Sequence, residues 1–302
     1  MRSQFSTANG RYMNMSVNKC IGVVGAAHDE SLQCLAELAA DGGVSLRLYG
    51  NRASIESTLS RFSIISSIST IIESSDDIES AAHAARDTSQ GLCHVLMKGC
   101  VHTSDFIKGV LDKEFQLLDE ESILSHVARL KLPGMNKPML ITDAAINISP
   151  NLDRKVSIIR NAVSVARSTG IDIPKVALVC PVETVTPKMT CTTDAAQIVF
   201  LQHNTSLFGD VVVEGPFALD VALSKHAAEV KGIGGMVPGN PDILMFHSID
   251  SANATLKAFT VFREMSYAGI VFGAKIPIVL TSRSDSAETR LESVRLALAV
   301  SG

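Results

Sequence analysis

Two rhythms alternate along the chain: short, continuous apolar runs and longer stretches in which apolar residues recur every three or four positions. The first suits strands buried on both faces, the second helices with one buried stripe. In the first half the pattern predicts strands at Cys20–Gly25, Val44–Tyr49, His94–Met97, Ile123–Leu130 and Pro138–Thr142. Helices fall between them at Glu30–Ala40, where Leu32, Leu35 and Leu38 form a stripe, and at Arg52–Leu59, Ile78–Arg86 and Ser104–Leu111. The second half repeats the rhythm, with helices at Leu152–Ser168, Ala195–Leu201, Phe217–Ala228, Ser251–Phe262 and Ala287–Val300. Strands alternate with them at Val176–Cys180, Asp210–Val213, Asp242–Phe246, Ala268–Phe272 and Ile276–Leu280. Strands that alternate with helices predict an α/β fold with mixed, mainly parallel sheets.

Composition narrows the function. A chain of 302 residues suits about two domains. With 46% hydrophobic and 19% charged residues it is too apolar to be disordered. No stretch reaches the ~18 apolar residues of a membrane span; even Tyr267–Leu280 carries Lys275. No membrane partner is expected. Formal charge is 27 − 31 = −4, so the broad basic footprint of a nucleic-acid binder is missing. Any anionic ligand must be held by a few local cations and helix N-termini. Six cysteines show neither CxxC nor zinc spacing, which predicts reduced, mostly buried thiols in a cytoplasmic protein and no metal site. Residues 1–28 contain no acid and no apolar signal-peptide core. Residues 1–16 are read as a disordered or mis-started leader, with a transit-like leader as the alternative.

Five junctions could carry chemistry. Thr281-Ser282-Arg283-Ser284-Asp285-Ser286-Ala287-Glu288-Thr289 follows a strand and opens a helix. Free backbone N–H groups, the Ser282 hydroxyl and the Arg283 guanidinium suit an anion there; Asp285 and Glu288 also fit a plain Asp-x-x-Glu capping pair. At Lys98-Gly99-Cys100-Val101-His102-Thr103, Lys98 could hold phosphate or simply be solvated, and His102 could be a proton carrier or structural. Asp143 and Asn147 could orient a ligand, or make the turn into the helix at Leu152. Glu214–Asp220 is a strand-to-helix junction with two carboxylates, and Asn253 and Lys257 share a helix face at i, i+4. A dinucleotide fingerprint, a P-loop, paired-His metal motifs and a GxSxG elbow are all missing from the sequence.

Taken in order, these segments resemble the phosphate acetyl/butyryltransferase family from about Lys19 to Gly302. The resemblance rests on Leu96-Met97-Lys98-Gly99 with Thr103, Thr142-Asp143-Ala144-Ala145 with Asn147, and Glu183-Thr184-Val185 with Pro187-Lys188-Met189. It continues through Glu214-Gly215-Pro216 with Asp220, Lys231-Gly232-Ile233, Asn253 and Lys257, and Gly273-Ala274-Lys275, to Thr281-Ser282-Arg283 and Asp285–Thr289. The family implies acyl transfer between coenzyme A and inorganic phosphate, with both as substrates and no tightly bound cofactor. It implies two three-layer α/β/α domains of the isocitrate/isopropylmalate dehydrogenase type, a ternary complex in the interdomain cleft, and a homodimer. Residues 1–143 plus 280–302 would form one domain, and 144–279 the other, dimerising one.

Ser284, where the acetyl branch usually has glycine, makes the C-terminal motif look like the butyryl branch, with acetyl and branched acyl groups as further candidates. The resemblance assigns catalysis to Ser282, Arg283 and either Asp285 or Glu288, since Thr289 stands where the acetyl branch has a proposed catalytic Asp. Lys98, Gly99, Thr103, Asp143, Asn147, Asn253 and Lys257 are assigned to substrate binding. Ala252 and Leu256 depart from the family's Gly and Tyr, and an alternative is a non-catalytic acyl-CoA-binding regulatory protein on the same fold.

Overall fold

A computed structural model of the chain describes residues 19–27, 29–40, 43–62, 69–263, 265–280 and 285–302. It divides into two compact units: residues up to Ser122 together with Ser266–Gly302, and Ile123–Met265. The breaks, expected at 143/144 and 279/280, fall earlier in the chain, at 122/123 and 265/266. The difference has a local cause. Strands β5 (Ser125–Leu130) and β6 (Met139–Thr142) pair antiparallel, and β6 pairs with β9 (Ile243–Phe246), so all three share the second unit's sheet. Likewise β10 (Ala268–Phe272) joins the first unit, where Ser293 of the C-terminal helix accepts the Gly269 N–H at 2.9 Å.

The first unit is built on the order β3-β2-β1-β4-β11-β10. Here β1 is Lys19–Val24, β2 Val44–Gly50, β3 Ser69–Glu73, β4 Val95–Lys98 and β11 Ile278–Val279. All pair in parallel except β10, which runs antiparallel to β11. Among the described residues its helices are α1 (Asp29–Ala40), α2 (Arg52–Leu59), α3 (Asp77–Ser89), α4 (Thr103–Val110) and the C-terminal helix α10 (Ala287–Val300). The Leu32, Leu35 and Leu38 stripe of α1 is buried, as its spacing predicts. Lys19 ties β1 to the chain end: its ammonium donates to the carbonyls of Leu298 and Ser301.

The second unit has the order β5-β6-β9-β7-β8, with β7 at Lys175–Val179 and β8 at Val212–Phe217. Beyond β5, every pairing is parallel. Its helices are α5 (Leu152–Ser168), α6 (Thr190–Thr205), α7 (Leu219–Leu223), α8 (Lys225–Val230) and α9 (Ile249–Arg263).

Two expectations need correction. Strand β3 was not visible in the serine-rich stretch before Ser75, because its residues lack clean alternation. The helix expected at Phe217–Ala228 is two helices: Phe217 ends β8, and Ser224 is extended and caps α8 by accepting from the Ala227 N–H. Among the described residues no helix is long and apolar enough to cross a membrane.

Candidate active site

In open α/β sheets, ligands gather outside the carboxyl ends of the parallel strands. The candidate residues of the first unit lie at that end. Val279 of β11 pairs with Met97 of β4, so Lys98 and Leu280 leave the sheet side by side. Ser282 and Arg283 themselves lie outside the described residues. Lys98 is half-buried, and its ammonium donates to the carbonyls of Gly99 and Val101, both at 3.1 Å, which curls the loop leading into α4. Gly99 is demanded by crowding: a Cβ there would lie 2.3 Å from the Gly25 carbonyl oxygen. Backbone, unlike a flexible side chain, cannot step aside. Thr103 is exposed at the start of α4, and His102 is its exposed N-cap residue without a side-chain capping bond.

The two candidate carboxylates are each held by a hydroxyl. Tyr267 donates to Asp285 Oδ1 at 3.3 Å, and Ser266 donates to Glu288 Oε2 at 2.7 Å. Burial, reinforced by Asp285, pushes the Tyr267 hydroxyl well above the ordinary tyrosine range, so it stays a donor. The capping role weighed for Asp285 belongs instead to Ser286, whose Oγ accepts the Thr289 N–H at 3.1 Å.

In the second unit Asp143 follows the end of β6 and spends its carboxylate on its own turn. Oδ1 accepts from the backbone of Ala145 and Ile146 at 3.0 Å, and Oδ2 from Asn147 Nδ2 at 2.6 Å. Asn147 Nδ2 also donates to the Leu124 carbonyl. These two residues shape the 143–147 loop. Asn253 Nδ2 reaches the Ala144 carbonyl at 2.9 Å and so ties α9 to that loop, while Lys257, one turn on, is exposed. Ala252 and Leu256, the departures flagged above, are buried against the core and lie on a different face from Asn253 and Lys257.

The resemblance quoted further residues without a role, and the structure joins them. Lys231 bridges Glu183 and Asp220, each at 3.0 Å, and Glu214 accepts from the Met236 and Val237 N–H groups at 3.1 Å. A Cβ at Gly235 (φ 138°) would meet Glu214 Oε2 at 2.3 Å. A second cluster was missed altogether, because its members are spread over 93 positions. Lys155 of α5 pairs with Asp194 of α6 at 2.5 Å and donates to His247 Nδ1 at 2.7 Å. The spacing of these residues carried no signal that could have found it.

The sequence model of a family described as "Phosphate acetyl/butaryl transferase" matches residues 57–298. The chain belongs to that family. It is 36% identical over 282 residues to "Phosphate butyryltransferase" of Clostridium beijerinckii, covering 93% of each chain. It is 38% identical to "Probable phosphate butyryltransferase" of Bacillus subtilis over 94% of each. The crystal structure of "a branched-chain phosphotransacylase from Enterococcus faecalis V583" superposes with a TM-score of 0.82 at 30% identity, over 94% of this chain and 99% of that one. Membership makes the protein a phosphate acyltransferase, and the α/β architecture agrees with that of its structural neighbours.

Proposed function

We propose that this phosphate acyltransferase moves a short-chain acyl group, butyryl first and acetyl or branched acyl groups after it, between coenzyme A and inorganic phosphate. The end-to-end match to phosphate butyryltransferases carries the reading: it spans 93–94% of the chain, against 72% for "Phosphate acetyltransferase" of Thermotoga maritima.

In the forward direction a phosphate oxygen attacks the thioester carbonyl, a C–O bond forms, and the tetrahedral oxyanion collapses with loss of the coenzyme A thiolate. A free thiol near pKa 8.5 is only a few per cent thiolate at pH 7, so the reverse direction needs a base worth roughly 10²–10⁴ in rate. Arg283 would hold phosphate and the developing charge, and Ser282 would donate to the oxyanion. Of the two carboxylates, Asp285 is the better supported base. Tyr267 orients its carboxylate and Asp285 is partly buried, whereas Glu288 is exposed. Lys98, Gly99 and Thr103 would line the phosphate side, with Asn253 and Lys257 as further substrate-binding groups; Asp143 and Asn147 would act through the loop they shape. The proposal includes a cytoplasmic homodimer. Phe200 and Phe262 (83% exposed) give the second unit apolar surface that a second copy would cover, which light scattering would register as doubled mass.

The test is phosphate-dependent thiol release from acetyl-, butyryl- and isobutyryl-CoA. Butyryl-CoA should be fastest, and Arg283→Ala should lose about 10²–10³-fold in kcat/KM. Full activity in Arg283→Ala with unchanged phosphate affinity would refute the assignment. Asp285→Asn should lose far more than Glu288→Gln; the reverse order moves the base to Glu288.

A further inference from the structure

At the carboxyl end of the second unit's sheet, Cys180 follows β7 and meets Cys191 in the first turn of α6. The two thiols are neighbours, and both line a small cavity with Lys155, Asp194 and His247. The space holds about one water molecule, close to the size of hydrogen peroxide. Cys180 is buried, whereas Cys191 is partly exposed and open to solvent.

We propose that Cys180 and Cys191 form a reversible intramolecular disulfide on exposure to hydrogen peroxide, closing the 181–190 loop that carries Glu183. Two thiols that line one cavity the size of a water molecule lie within the short reach a disulfide demands. Roles within the pair follow from their surroundings. Burial first, then the neighbouring Cys191, pushes the Cys180 thiol up to about 12, so it stays protonated and Cys191 is the nucleophile. Cys191 thiolate attacks the peroxide O–O bond, giving a sulfenic acid and hydroxide, which becomes water. The Cys180 sulfur then attacks the sulfenic sulfur, the S–S bond forms, the S–O bond breaks, and the departing hydroxide leaves as water with the Cys180 proton. Two thiols are oxidised by two electrons and one peroxide is reduced to two waters.

Among the described residues Cys20 and Cys93 are also neighbours, with the Tyr49 hydroxyl 3.4 Å from the Cys93 sulfur. Cys20 lies in β1 and Cys93 just before β4, both less than 9% exposed, so of the two pairs an oxidant reaches the one with Cys191 first.

The experiment treats the full chain with a small molar excess of hydrogen peroxide and reads intact mass and non-reduced peptide maps. The expected result is a loss of two hydrogens, a linked peptide joining Cys180 to Cys191, and reversal by dithiothreitol. Oxidation should raise Tm by about 5–10 °C, since the loop closed is short but spans two elements. Cys191→Ser, at a partly exposed position that tolerates a hydroxyl, should abolish both the mass loss and the Tm shift. A linked Cys20–Cys93 peptide instead, no mass loss in the wild type, or mass loss persisting in Cys191→Ser would each overturn the proposal.

Discussion

Replacing Lys155 by methionine probes the cluster that spacing could not reveal. The Lys155 side chain is 4% exposed and its partner Asp194 17% exposed, with His247 Nδ1 as a third member. Methionine fills the same volume but leaves the Asp194 charge facing an apolar wall. Breaking a buried ion pair costs about 3–5 kcal/mol. Water reaches part of Asp194, which places the loss at the lower end, about 3 kcal/mol. For a unit of this size that is roughly 6–12 °C in Tm. Urea unfolding, with the midpoint and slope fitted together, measures it. Lys155→Met with Asp194→Leu should recover most of the loss, because a packed apolar pair replaces a buried ionic one at little cost. The double variant also carries a pH signature. Burial first, and then the Lys155 charge, hold His247 below its ordinary 6.5. The unfolded chain therefore takes up this proton before the native one does. Stability is full above about pH 6.5 and declines as pH falls toward the native value, and the decline should be shallower without Lys155. A loss under 1 kcal/mol in Lys155→Met, or a double variant as unstable as the sum of its parts, would refute the account.

Gly99→Ala should cost about 1–3 kcal/mol by urea unfolding and lower kcat/KM, because the new methyl collides with the Gly25 and Val24 carbonyls and pushes out the loop that Lys98 holds. Unchanged stability would mean that the two loops separate freely. Asn253→Ala removes the bond to the Ala144 carbonyl, at a cost of about 1 kcal/mol, and should raise KM for acyl-CoA more than it lowers kcat. Tyr267→Phe removes the hydrogen bond to Asp285 Oδ1 without removing the carboxylate, so activity should fall but less than in Asp285→Asn. Equal losses would mark Tyr267 as a substrate contact rather than a positioning residue.

Much of the fold was legible from periodicity alone. The helices at Arg52–Leu59, Leu152–Ser168 and Ala287–Val300 and the strand at Ala268–Phe272 have the limits their apolar spacing predicts, since a buried stripe or run must end where burial ends. The motifs at residues 98–103, 142–147 and 281–289, each weak alone, showed the family through the order in which they resemble it. What each motif residue does was not legible. Asp143 and Asn147 read equally well as ligand-orienting groups or as a turn, and the hydrogen bonds to Ala145, Ile146 and Leu124 place them in the turn. Asp285 read as a cap until Ser286 took that bond. The Lys155–Asp194–His247 cluster left no trace in spacing, because residues far apart in the chain meet only through sheet order, and Cys180 nears Cys191 only because the 181–190 loop turns back on itself. Local sequence determines which way each residue faces within its own element; tertiary structure decides which distant residue it faces.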